Sequence, residues 1–244
     1  MELKGKTVLV TGSAKRVGKT IALALAKRGA DIVVNYQRSQ PEAEETAREI
    51  EQLGVRALTA RANVSVANEV QAMIRQAVHH FGRLDVLVNN AAIFYATPFD
   101  RLTEKDWDEM IDINLKGSFL CAKYAGDEML KRAGGKIINI ADWSGIRPYV
   151  DYIPYCVSKA GVIALTKALA VTLAPTIQVN CIAPGPVMLP EDFADKERAE
   201  VLAKTPLKRT GSPEDIASAV KFLIEGSDFI TGAMIAVDGG RLIA

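Results

Sequence analysis

The chain has 244 residues, 49% hydrophobic and 24% charged, which is a globular composition with enough length for a sizeable core. Thirty Lys and Arg against 29 Asp and Glu leave a net charge of +1, so nothing in the bulk electrostatics points to nucleic acid or an anionic membrane as partner. The odd set Cys121, Cys156 and Cys181 has no C-x-x-C spacing, which argues against a disulfide framework and a structural zinc site and fits a reducing compartment.

The opening "MELKGKTVLVTG" enters an apolar strand without a cleavable signal, and no run of about 18 apolar residues is expected to span a bilayer, so a cytoplasmic protein is expected. Short apolar runs then alternate with longer segments of helical period. The runs are 7–11, 31–36, 55–60, 84–90, 136–141, 177–183 and 233–238. No linker, repeat or low-complexity tract divides them, so residues 1–244 are expected to form a single α/β domain. Strands separated by crossover helices predict a doubly wound, Rossmann-type fold. Its seven-stranded parallel sheet would carry helices on both faces and bind ligands at the carboxyl ends of the strands.

After the first strand, "TGSAKRVGKT" (11–20) leads into a helix starting near Val17. A glycine turn feeding a helix N-terminus offers N–H groups and the positive dipole end to a phosphate. Five residues separate Gly12 from Gly18 where a P-loop needs four, and 84–90 ends in Asn89 and Asn90 instead of a magnesium-binding aspartate, so a nucleotide hydrolase is disfavoured. The second strand ends in Asn35, Tyr36, Gln37, Arg38 and Ser39, with no acid to accept from a ribose 2′-hydroxyl. Arg16 and Arg38 are cations suited to a 2′-phosphate, so NADPH is the expected cofactor. The adjacent His79 and His80 fall on a predicted helix and point in different directions, so no metal is expected there.

Tyr155 and Lys159 are four apart and share a helix face, where an ammonium should lower the phenol's pKa and make it a proton donor. Together with Thr11–Gly12, Asn89–Ala91, Asn114, Pro184–Gly185 and "VDGG" (237–240), this pair resembles the short-chain dehydrogenase/reductase family over essentially the whole chain. The resemblance implies Tyr155 as proton donor, Lys159 as ribose ligand and phenol tuner, and Asn114 as holder of a relay water. It implies a cofactor site of Gly12, Arg16, Val17, Gly18, Tyr36, Arg38, Ser39, Asn63, Val64, Asn90, Ala91, Tyr155, Lys159, Pro184, Gly185 and Val187, and a homotetramer. The chain departs from the family at Arg16, where a glycine is usual, at Asn63, where an aspartate is common, and at Ala92, where the usual residue is glycine.

The largest departure is Asp142, which stands thirteen residues before Tyr155, where the family has its catalytic serine. A hydroxyl donates to a substrate carbonyl, whereas an ionised carboxylate only accepts and repels a developing alkoxide. A substrate with N–H groups, or with a ring nitrogen that needs a proton, suits it better. Asp142 with Arg16 and "NNAAIFYATPF" (89–99) resembles the pteridine reductase branch, which implies Phe94 sandwiching a flat pterin against the nicotinamide with Tyr152 flanking it. The alternative is a 3-oxoacyl thioester or other carbonyl reductase, with Asp142 protonated or bypassed by Ser144. A nonenzymatic NADPH sensor is disfavoured by the intact acid-base set. Residues 191–207 read either as a lid over the substrate or as a charged amphipathic helix.

Overall fold

Strands built almost wholly of Val, Ile and Leu have no polar face to turn toward water, so they are stable only between two layers of helices. The computed structural model, which describes residues 1–132, 134–188 and 195–244, has that arrangement. Its elements are β1 (Thr7–Val10), α1 (Arg16–Ala26), β2 (Asp31–Tyr36), α2 (Gln40–Glu51), β3 (Ala57–Arg61), α3 (Ala67–Phe81) and β4 (Val86–Asn89). Then follow α4 (Glu104–Met110), a π-helical turn (Ile111–Lys116), α5 (Gly117–Leu130), β5 (Gly135–Ile140), a 3₁₀ turn (Trp143–Gly145) and α6 (Ile153–Leu173). The chain closes with β6 (Ile177–Pro184), α7 (Asp195–Ala203), α8 (Pro213–Glu225) and β7 (Met234–Val237).

All seven strands pair in parallel in the order β3-β2-β1-β4-β5-β6-β7. Period-2 alternation splits the core: Val8 and Val10 pack with Ile21, Leu25 and Val220 on one face, while Leu9 and Leu87 pack with Met73 and Met129 on the other. The order reverses between β1 and β4, which opens a crevice at the carboxyl ends of these strands. Each predicted strand is present with its ends within two residues.

One expectation needs correction. Helix α6 is long and apolar enough, by length and composition, to cross a membrane. Its packing explains the composition: one face buries Tyr155, Lys159, Val162, Thr166 and Ala170 inside the protein. The opposite side leaves Val157 and Val171 exposed.

Candidate active site

The turn after β1 is held by side chains from the neighbouring strands. Gly12 has φ +62°, and its N–H donates to Asn35 Oδ1 at 3.0 Å. Asn35, buried at the end of β2, spends its Nδ2 on the carbonyls of Ala60 and Ala62, both at 3.2 Å. The residue where an acid was absent from the sequence is therefore a brace for the turn. Asn90 is another: its Nδ2 donates to Thr11 O (2.9 Å) and Gly12 O (3.2 Å), while Thr11 Oγ1 accepts from the N–H groups of Asn90 and Ala91. A Cβ on Gly18 would stand 2.5 Å from Gly12 O and 2.6 Å from Asn90 Nδ2, so only glycine allows α1 to approach this closely.

Helix α1 starts with no side-chain cap and no acidic residue in its first turn. Its N–H groups and dipole end thus face a cavity of about 340 Å³ lined by Gly12, Arg16, Val17, Gly18, Asn63, Val64, Asn90 and Ala91. A second cavity of about 550 Å³ adjoins it and is lined by Tyr36, Arg38, Ser39 and Asn63. A glycine-lined cradle against an uncapped helix end fits a dinucleotide pyrophosphate. Asn63 Oδ1 accepts from the Ser65 N–H and hydroxyl, which orients its amide at the rim. Lys15, on the same turn as Arg16, lines both cavities and was missed in the sequence because no motif position marks it.

Arg16 has φ +56°, a left-handed conformation that glycine adopts freely and arginine adopts at a cost of about 1–2 kcal/mol. The backbone thus takes a shape that glycine would adopt freely, while the side chain adds a guanidinium. Arg16 and Arg38 are both exposed, and neither forms an ion pair among the described residues.

Helix α6 carries Tyr155 and Lys159 one turn apart, only 7% and 3% exposed. Lys159 Nζ donates to Ile140 O at the end of β5 (2.9 Å) and lies 5.7 Å from the centre of the Tyr155 ring. Burial pushes the Lys159 ammonium down to about 8, with the Asp142 carboxylate acting in the opposite sense. The Tyr155 phenol moves up, contrary to the expected lowering by Lys159. Burial is the main cause and the Asp142 carboxylate adds to it. Tyr155 therefore stands as a neutral, proton-bearing acid, the state required of a donor in a reduction.

Asp142 caps the 3₁₀ turn, with Oδ1 accepting from the Ser144 N–H at 2.8 Å. Burial raises its pKa, opposed by that hydrogen bond and by Lys159. Ser144 does not take its place: its side chain is fully buried and it is not among the cavity-lining residues. Asn114 sits on the π-helical turn, a distortion frequent at functional sites. Its side chain accepts from Ile93 N (2.8 Å) and donates to Ile93 O (3.1 Å) and Ser158 Oγ (3.2 Å). Those bonds tie the loop that presents Phe94 to α6.

Asp142, Tyr155, Phe94 and Tyr152 line one cavity of about 480 Å³, together with Gly185 and Val187 from the segment after β6. Pro184 ends β6, and a Cβ on Gly185 would stand 2.6 Å from Asp238 Cα, so this backbone also needs glycine. Phe94 is 48% exposed rather than packed into the core. It stacks on Tyr152 at 4.6 Å with planes 8° apart, and meets Tyr155 edge-on at 4.7 Å. Phe94, expected to sandwich a flat ligand against the nicotinamide, and Tyr152, expected to flank it, thus lie together at this cavity. Trp143, Tyr149 and Arg241 complete the walls. They escaped the sequence reading because the 3₁₀ turn and the chain's last residues reach the cavity only through tertiary packing. Of the expected lid, residues 191–194 lie outside the described residues; α7 contributes Val201 to the cavity wall.

Comparison with known proteins bears on this site. The family described as enoyl-(acyl carrier protein) reductase matches residues 12–241. The chain is 42% identical over 239 residues to a 3-oxoacyl-(acyl-carrier-protein) reductase of Staphylococcus aureus, covering 96% of this chain and 97% of that protein. It is 40% identical over 245 residues to a 3-oxoacyl-(acyl-carrier-protein) reductase of Synechocystis sp., covering 99% and 98%. The solved structure of a 7α-hydroxysteroid dehydrogenase complexed with NADH and 7-oxo glycochenodeoxycholic acid superposes with a TM-score of 0.94 at 31% identity, over 98% of this chain and 95% of that one. These names match the 3-oxoacyl thioester expectation better than the pterin one.

Proposed function

The chain belongs to the short-chain dehydrogenase/reductase family, and from that premise we propose that this oxidoreductase is an NADPH-dependent reductase of a pterin-like nitrogen heterocycle. The observation that carries the substrate class is Asp142, a carboxyl group lining the cavity beside Tyr155. When bound, NADPH supplies the hydride. The residues that would hold it are Gly12, Arg16, Val17 and Gly18 on the turn and Arg38, Ser39 and Asn63 along the second cavity, with Arg16 and Arg38 as cations for the 2′-phosphate.

Asp142 holds the ring through its N–H edge, and its raised pKa lets it deliver a proton to a ring nitrogen. One proton accompanies the hydride, so Tyr155, which hydrogen-bonds with Asp142, returns to it the proton given to the ring, and Lys159 keeps a positive charge next to Tyr155. Phe94 and Tyr152 offer flat apolar surface for a planar substrate. A second reading, reduction of a 3-oxoacyl thioester, is favoured by the names of the relatives. The same raised pKa supports it, because a protonated Asp142 can donate to a carbonyl as a serine does.

Initial rates of NADPH consumption with a dihydropterin and a 3-oxoacyl thioester in parallel separate the two. Turnover of the thioester alone would remove the heterocycle reading.

The cofactor assignment makes its own prediction. Arg16→Gly should relieve the left-handed strain, raise stability by about 1 kcal/mol and lower the NADPH:NADH preference in kcat/KM by about 10- to 100-fold. Unchanged selectivity would remove Arg16 from the 2′-phosphate site. As assembly we propose a homotetramer, supported by the exposed apolar Phe119 on α5 and Val157 and Val171 on α6. Light scattering should give a mass near four chains, and a stable monomer would exclude it.

A further inference from the structure

Arg241 follows the "VDGG" segment and lines the same cavity of about 480 Å³ as Asp142, Tyr155 and Phe94. Its guanidinium lies over the Trp143 ring, with Cζ 5.3 Å from the ring centre, and Nη1 donates to Val201 O at 3.0 Å. A planar cation with five N–H donors is therefore held in place by one stacking contact and one hydrogen bond, which leaves donors for a ligand. Among the described residues no carboxylate forms an ion pair with it. The Tyr149 phenol, which lines the same cavity, feels both the Asp142 carboxylate and the Arg241 guanidinium. Arg147 donates to Arg241 O at 3.2 Å, which brings a second positive charge to this segment.

We infer that Arg241 determines specificity by binding an anionic group, a carboxylate or a phosphate, that the substrate carries beyond its reacting ring or carbonyl. The inference rests on the reading of this cavity as the substrate site. It holds for both substrate classes, since a heterocycle can carry a carboxylate tail and a phosphopantetheine thioester carries a phosphate.

Two matched pairs test it. One is a dihydropteridine with a glutamate-bearing tail against the same ring with a neutral side chain; the other is a 3-oxoacyl thioester of phosphopantetheine against that of N-acetylcysteamine. Wild type should prefer the anionic member of the productive pair through KM. Arg241→Gln should raise KM for that member by about tenfold, with kcat and the neutral member's KM unmoved, while Arg241→Lys retains most of the preference. Equal loss on both members in Arg241→Gln, or no preference in wild type, overturns the inference.

If only the thioesters react, the heterocycle reading fails and Arg241 is judged on the thioester pair. If neither pair reacts, calorimetry of the same pairs on NADP⁺-loaded protein makes the comparison, and equal affinities overturn it. Should Arg241→Gln fail to fold, the wild-type preference is measured at low and high salt: a preference that shrinks with salt supports the ion contact, and one that does not overturns it.

Discussion

Tyr155→Phe is expected to lower kcat by about 10²- to 10⁴-fold with NADPH affinity nearly unchanged, because it deletes one hydroxyl from the cavity and leaves the ring's edge-on contact with Phe94. Steady-state rates with a cofactor-binding titration make the check, and a loss below about tenfold would remove Tyr155 as the acid. The pH profile of the wild type adds a second signature. Lys159 ionises at about 8, so the rate should fall as pH rises through that value and the positive charge beside the donor disappears.

The stability of the cofactor-free protein should move the other way. The folded value for Lys159 lies below the ordinary 10.5, so between about 8 and 10.5 the folded chain binds fewer protons than the unfolded one. By linkage its contribution to stability rises with pH across that window and is lost as pH falls through it.

Asp142→Ser is expected to lower turnover of a dihydropterin by about 10²-fold or more while NADPH binding holds, and to preserve or raise turnover of a 3-oxoacyl thioester. Serine restores the hydroxyl that suits a carbonyl and removes the group that receives N–H donors and returns a proton. An unchanged pterin rate would refute the assignment of Asp142.

Asp142→Asn completes the test, because it keeps the shape and the acceptor but cannot titrate. Burial raises the Asp142 pKa, so the neutral form is favoured in the fold, and its stabilising effect is lost as pH rises from the ordinary carboxylate value through the raised one. The asparagine variant should therefore be more stable than wild type at neutral pH and less active. That is the usual cost of holding an ionisable group inside a catalytic cavity.

Much of this was legible in the order of residues. Apolar runs of four to eight residues separated by helical period imply a parallel sheet, because backbone pairing and two-sided burial leave few other solutions. The chemistry-bearing residues of the turn, the Tyr155/Lys159 pair and the odd carboxyl at 142 were visible because local spacing places them: one helix turn, one tight loop, one strand end. Asp142 also marked a change of donor and acceptor capacity at the position where the family has a serine, since that capacity follows from residue type alone.

Other properties depended on what surrounds those residues. The ammonium of Lys159 was expected to pull the Tyr155 phenol down, yet the phenol rises, because desolvation and the Asp142 carboxylate outweigh a lysine whose own charge is weakened by burial. The apolar length of α6 cannot by itself distinguish a core helix from a membrane span. Asn35 and Asn90 are braces because the carbonyls they meet belong to segments distant in sequence. Residue types and short-range periodicity determine elements, turn chemistry and the candidate acid, whereas burial, the direction of a pKa shift and the company of Trp143, Tyr149 and Arg241 arise only when distant segments close around one cavity, because desolvation and charge–charge terms depend on distances in space.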